Sequence, residues 1–250
     1  MMAAGQARAL HAQTGRRVII RDRKGAIREH EIWLHNPYIV RRADRPFKPV
    51  EMVNGPSVRP YIASKNIDKW TWREWACPVG EIFFSADERS FGEQNAGLLS
   101  RAVVIEPNVK QKASPNKDWG RERWMALASL LRSAGMQPVQ LGPVGTQVIA
   151  GARLVETPNF RLACAVLSRA RAAVLPEGGL HHAAAALNVP SVVIFGAYIA
   201  PSVTGYKRQR NLFTGSGAGC GMRIPCQCCV EAMARITPAL VMEEVRQLLA

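Results

Sequence analysis

Three continuous apolar runs constrain this chain more than any other feature: Ala102-Val103-Val104-Ile105, Ala172-Ala173-Val174-Leu175 and Ser191-Val192-Val193-Ile194-Phe195. A strand with one face in water alternates apolar and polar residues. A strand that is apolar throughout is buried on both faces, as in a parallel sheet covered by helices on either side. Helical periodicity lies between the runs. Trp124, Leu127, Leu130 and Leu131 recur at helical spacing and Gly135 closes that segment. Residues 160–171 and His181 to Leu187 supply two further helices, while Val139–Gly142 and Leu154–Glu156 read as strands. Strands alternating with helices predict an α/β fold, a Rossmann-like doubly wound parallel sheet. Right-handed crossovers set the strand carboxyl ends along one edge, where ligands of such sheets bind.

The first part of the chain is less regular. Residues 3–13 predict a helix and Val18-Ile19-Ile20 a strand, with a turn at Asp22-Arg23-Lys24-Gly25. Glu31-Ile32-Trp33-Leu34 reads as a second short strand. Residues 41–80, rich in Pro, Arg and Trp, show little periodicity and are expected to wrap the surface. Ile82-Phe83-Phe84 leads into a polar helix around residues 87–97. The chain is therefore read as two units: a short N-terminal α/β domain over residues 1–97 and a Rossmann-like domain over 98–250.

Charge narrows the partners. Lys and Arg number 33 against 19 Asp and Glu, a formal net charge of +14. Such an excess suits nucleic acid, an anionic membrane surface or a phosphorylated substrate; a solvated basic surface without a specific partner also fits. No zinc finger, RNA-recognition signature or heptad-bearing basic region is present, so no nucleic acid partner is expected. No apolar run approaches the roughly 18–20 residues of a membrane span, and the N-terminus lacks the apolar stretch of a secretory signal. A cytoplasmic location is expected, with peripheral contact at the inner membrane face open to a basic chain.

Three loops leave the predicted strand ends. The first, Glu106 to Gly120, holds Asn108, Lys110, Lys112 and Lys117 between a strand and a helix start, where backbone N–H groups also favour an anion. The second, Leu175-Pro176-Glu177-Gly178-Gly179-Leu180-His181-His182, puts two glycines behind a strand and directly before an Ala-rich helix, so backbone can approach a phosphate closely. The third, Phe195-Gly196-Ala197-Tyr198, offers an aromatic wall. Each has a plainer reading: a lysine-rich surface loop, a hydrogen-bonded structural histidine, an ordinary turn. Glu177 with His182 as a metal pair lacks a third ligand at convincing spacing.

Taken in order, these elements resemble the C-terminal domain of the heptosyltransferase-like glycosyltransferases, glycosyltransferase family 9. The resemblance runs over roughly residues 100–210 and rests on Ile105 to Asn108, Lys117-Asp118-Trp119 with Trp124, Glu177-Gly178-Gly179, His182 with Ala183 to Leu187, Pro190, and Phe195-Gly196. It implies a GT-B-like architecture, a nucleotide-diphosphate-sugar donor and a glycan or lipid-linked acceptor. It implies that Lys117 contacts the donor phosphates, that Gly178, Gly179 and His182 cradle the diphosphate, and that Asn108, Lys112, Glu177 and Tyr198 line the same site. Glu177 stands where the family usually has aspartate. Neither a metal nor another cofactor is implied. The family's proton-accepting carboxylate sits in a Gly-Asp loop after the first strand, and that loop is not found here. The catalytic base is thus unassigned, and a donor-binding protein without a base is the alternative. The short N-terminal part also leads us to expect a chain lacking its first strand.

Six cysteines are present, four of them close together as Cys220-x5-Cys226-x-Cys228-Cys229. Thiols at this spacing suit zinc, but the adjacent pair is a poor fit to one tetrahedral ion. They are expected to pack as small hydrophobic side chains, with zinc present only substoichiometrically.

Overall fold

The computed structural model describes residues 1–44, 48–55, 58–109 and 115–250. Helix α1 (Met2–Thr14) ends at Gly15 in the left-handed conformation, and β1 (Val18–Arg21) follows. β2 (Ile39–Val40) and β3 (Val50–Val53) flank β1 in a three-stranded parallel sheet, with Val18 opposite both Ile39 and Val50. β4 (Ile62–Lys65) and β5 (Trp70–Trp72) form an antiparallel hairpin. Helices α2 (Ala86–Gln94) and α3 (Ala96–Leu99) lead to the larger sheet. Its elements are β6 (Ala102–Ile105), α4 (Arg121–Ser133), β7 (Gln137–Gly142), β8 (Arg153–Glu156), α5 (Phe160–Leu167), β9 (Ala172–Pro176), α6 (Gly179–Ala186), β10 (Ser191–Gly196), α7 (Pro201–Thr204), β11 (Arg210–Phe213), α8 (Gln227–Arg235) and α9 (Pro238–Leu249).

The six strands lie in the order β11-β10-β9-β6-β7-β8, every pairing parallel. The chain runs outward from β6 to β8, then returns to the other side of β6 at β9. Strand order therefore reverses between β6 and β9. The apolar runs serve both faces, as their unbroken hydrophobicity requires. Ala102, Val104, Ala173 and Leu175 pack with Ala163, Val166, Leu167, Ala183 and Ala184 of α5 and α6. Val103, Ile105, Ala172, Val174, Val192 and Ile194 pack on the other face with Trp124, Leu127, Leu131, Met233, Val241 and Val245 of α4, α8 and α9. The first of these cores continues without a break into Ala4 and Ala7 of α1 and Val18, Ile20 and Ile39 of the smaller sheet.

Several expectations need correction. Glu31–Leu34 is not a strand. His30 holds an extended backbone and its ring nitrogen accepts the Ile32 N–H at 3.2 Å, and a 3₁₀ turn forms at Glu31–Trp33. Such local side chain–backbone bonds compete with strand pairing. Residues 41–80 do more than wrap the surface: β3 completes a sheet, and Tyr61 and Trp72 are buried beside Phe195 and Tyr198. The edge strand β11 escaped the sequence reading because Arg210 and Asn211 break its apolar pattern. The polar helix is two short ones, α2 and α3, meeting at Asn95. At the C-terminus α8 ends before Ile236, its C-cap, and α9 starts where the Thr237 side chain accepts the Leu240 N–H and Pro238 takes the first position. Among the described residues no helix is long and apolar enough to cross a membrane.

Candidate functional site

The reversal of strand order brings the carboxyl ends of β6 and β9 side by side, with Ile105 paired to Val174 and the Glu106 N–H donating to Val174 O at 3.3 Å. Chain leaving β6 reaches a 3₁₀ turn at Pro115–Lys117 and then α4. Chain leaving β9 passes Glu177 and Gly178 into α6. Lys117 donates to the Glu177 carboxylate across this gap, and its Nζ lies 5.2 Å from the ring centroid of Tyr198, on the loop after β10. The three loops singled out in the sequence thus converge on one cavity of about 860 Å³, lined by Asn108, Lys117, Glu177, Gly178, Gly179, His182 and Tyr198. Lys112 lies outside the described residues.

Burial pushes the Glu177 carboxyl up, but Lys117 beside it, then His181, outweigh this and hold it below the usual glutamate range. It is a fixed, neutralised anion. His181 is fully buried and belongs to the frame: its Nδ1 accepts the Gly178 N–H at 2.8 Å, which leaves Nε2 to donate to Thr204 O at 3.0 Å. His182 lines the cavity while its Nδ1 lies 2.8 Å from the Tyr206 hydroxyl. Burial, reinforced by neighbouring His181, holds His182 well below the ordinary histidine value, so it offers a hydrogen bond and no charge. Ligating atoms of Glu177, His181 and His182 lie within 4.8 Å of one another. His181 supplies the third member that spacing did not suggest, but both its nitrogens are used and Lys117 holds Glu177. The trio is a hydrogen-bonded floor.

Gly178 has extended backbone, and a Cβ there would meet nothing nearer than Pro176 O at 3.8 Å. The protein's own packing does not require glycine at this position, and the space it leaves opens on the cavity. Directly behind it, the first-turn N–H groups of α6 have no acceptor within the helix. Glu106 is the other carboxylate in the lining, and burial pushes its carboxyl up to about 7 while the Asn108 N–H donates to it at 2.8 Å. It exchanges a proton near neutral pH.

The opposite wall comes from the irregular first part of the chain, which the sequence reading left unassigned: Arg28, Trp33, Arg59, Tyr61, Trp70 and Trp72. With Lys117 and Arg223 the lining carries four cations against two carboxylates, one of them neutralised. Trp33 and Thr157 belong to the lining as well. The only sequence signal for this wall was the density of Arg and Trp. The carboxylate after β1, Asp22, does not line the cavity; its Oδ1 accepts the N–H groups of Lys24 at 2.8 Å and Ala26 at 3.0 Å, closing a turn.

Behind the cavity, between β11 and α8, the four clustered cysteines converge, their sulfurs within 4.8 Å of one another. Cys226 is the N-cap residue of α8, on an extended backbone, and Cys228 and Cys229 follow in its first turn with their sulfurs inside the same 4.8 Å.

A six-stranded parallel sheet with a cationic cavity and a glycine-led helix at its reversal point defines a Rossmann-type α/β protein, and a junction of this kind suits an anion. The sequence profile of glycosyltransferase family 9 (heptosyltransferase) matches residues 76–233, more than half of the chain, and the chain belongs to that family. Its fold is similar to that of E. coli ADP-heptose LPS heptosyltransferase II, at 23% identity and a TM-score of 0.53 over 70% of this chain and 54% of that one. A family 9 glycosyltransferase from Veillonella parvula gives 16% identity and a TM-score of 0.50 over 68% and 53%. The chain thus spans about half the length of these proteins, and its fold is GT-B-like. Comparison with curated proteins gives no match.

Proposed function

We propose that this chain binds a nucleotide-diphosphate sugar and that its activity is transfer of the sugar to a hydroxyl of a glycan or lipid-linked acceptor. The observation that carries the reading is the junction of Lys117, Gly178 and the start of α6 at the β6–β9 reversal, facing one cationic cavity. A leaving nucleotide diphosphate gains negative charge in the transition state. Lys117, the arginines of the opposite wall and the α6 N–H groups are placed to offset it, and preorganised groups of this kind are commonly the largest catalytic term. His182 adds a neutral hydrogen bond. The aromatic wall of Tyr61, Trp70 and Trp72 suits the flat faces of a base or sugar. The E. coli relative carries ADP-heptose in its name, which makes ADP-heptose the first donor to test. The excess of basic residues suits an anionic acceptor or membrane face.

A second reading, donor binding without transfer, is favoured by Asp22, whose carboxylate is spent on its own turn. The experiment is a thermal-shift and calorimetric titration with ADP-heptose and a panel of other nucleotide-diphosphate sugars. One donor is expected to bind saturably, and Gly178→Val is expected to fold normally and lose it, since a Cβ there meets nothing nearer than Pro176 O at 3.8 Å. Absence of a shift with every donor, or unchanged binding by Gly178→Val, counts against the site. Turnover of the bound donor with acceptor lipid then separates the two readings.

A further inference from the structure

We propose that Cys220, Cys226, Cys228 and Cys229 bind one four-coordinate divalent metal ion, zinc by preference, as a structural clasp behind the cavity. Cys226 Sγ is 2.9 Å from Cys228 Sγ and Cys220 Sγ is 3.1 Å from Cys229 Sγ, with all four inside 4.8 Å. These separations exceed the roughly 2.05 Å of a disulfide. Zinc–sulfur bonds of about 2.3 Å set tetrahedral sulfur separations of about 3.8 Å, so an ion at the centre asks shifts of no more than about 1 Å from each pair. Four sulfurs without a carboxylate or imidazole form a closed, soft donor set, the kind that selects zinc for a structural site.

The local chain explains how neighbouring residues share one ion. Successive residues in a helix point about 100° apart. From the first turn of α8, Cys228 reaches Cys226 at the exposed side while buried Cys229 reaches Cys220 from the preceding loop. The Met222 N–H donates to Cys220 Sγ at 3.5 Å, a contact that stabilises a thiolate.

What the clasp would hold is the site itself. Cys220 N–H donates to Ala197 O at 2.8 Å and Gly221 N–H to Tyr198 O at 3.0 Å. Gly219 and Gly221 have φ of +103° and +70°, and a Cβ on Gly219 would come within 2.7 Å of Ile199 Cα, so this loop lies flat on the loop that carries Tyr198. Asn116, next to Lys117, donates to Met222 O at 2.6 Å and Ile224 O at 2.8 Å and accepts the Cys226 N–H at 3.0 Å. Trp70 N–H donates to Gly221 O at 3.0 Å, tying in the β4–β5 hairpin. Three walls of the cavity therefore hang on the segment that the metal closes.

The test is elemental analysis of the whole chain, expressed with zinc supplied and purified under reducing conditions without chelator. One equivalent of zinc per chain is expected. Replacing it with cobalt should give the visible bands of a tetrahedral tetrathiolate ion. Stripping with a strong chelator should lower the melting temperature and change tryptophan emission, and re-added zinc should reverse both. The double variant Cys220→Ser/Cys226→Ser should lose the metal; if it does not fold, stripping and reloading the wild-type chain decides. Zinc far below one equivalent together with no cobalt uptake by the reduced protein overturns the proposal, as does full zinc content in the double variant. No nucleotide enters these measurements, so their failure and that of the donor-binding reading are independent.

Discussion

Lys117 serves the unliganded fold as well as a ligand, because Glu177, only 6% exposed, relies on it. Removing one member of a buried pair costs about 3–5 kcal/mol. Lys117 is itself 18% exposed, so Lys117→Ala is expected near the lower end of that range in chemical denaturation. Lys117→Ala/Glu177→Gln should recover most of the loss. Both variants should still bind donor more weakly by about 1.5–3 kcal/mol, the value of a charge-assisted hydrogen bond, as read by calorimetry. Glu106 gives a pH dependence. Its carboxyl sits at about 7 because of burial, so it is mainly neutral just below that pH and negative above it. A second negative charge beside a diphosphate is unfavourable, so donor affinity should fall as pH rises through about 7. The fold likewise disfavours the ionised form, so this residue's contribution to stability is full below the ordinary glutamate range and is lost as pH rises from there to about 7. Glu106→Gln should flatten the affinity profile between about pH 6 and pH 8; an unchanged slope would show that Glu106 lies too far from the ligand. Residues such as Lys117 and Gly178 were legible because they flank strong strand signals. Glu106 was not, since a raised carboxyl value depends on burial that no motif encodes.

At the scale of elements, α5 shares an apolar core with the first part of the chain, and one polar side chain adds a buried tie. Arg161, 3% exposed, donates to both Glu88 oxygens at 2.5 Å each, to Glu31 O at 3.0 Å and to Phe83 O at 2.7 Å. Glu88 also completes the cap of α2 with Ser85. Arg161→Met should cost about 3–5 kcal/mol by stranding Glu88 and two carbonyls. The hydrogen bond from Arg161 holds Glu88 below the usual glutamate range. The stability this brings is present above that range and is lost as pH falls through the lowered value. Denaturation curves should therefore show a shallower acid limb for Arg161→Met than for the wild type. The helices and buried strands of the larger sheet were readable from periodicity. β11 and the Glu31–Trp33 turn were not, because the first is a half-polar edge and the second is set by a histidine–backbone bond.

Across the whole molecule, one apolar core runs from α1 and β1 into β6, β7 and β9. Units joined through a large apolar contact behave as one body. Calorimetric unfolding should therefore give a single transition, which a saturating donor shifts upward by about 2.7 kcal/mol at a hundredfold excess over Kd. Two resolved transitions would instead favour separate units near the 97/98 boundary that the sequence suggests.

The sequence by itself determined the parallel sheet, its direction and the edge at which the cavity opens, because burial on both faces leaves an unbroken apolar run and glycines mark where backbone stays open. It also named one half of the cavity. The tertiary structure alone decided the other half. Arg28, Arg59, Tyr61 and Trp72 reach the cavity from segments without helix or strand period, and Trp72 is held there by a partner more than a hundred residues away, its Nε1 donating to Tyr198 O at 2.8 Å. The same holds for the cysteines: their spacing argued against a shared ion, and only the packing of the preceding loop on the first turn of α8 brings the four sulfurs within 4.8 Å of one another.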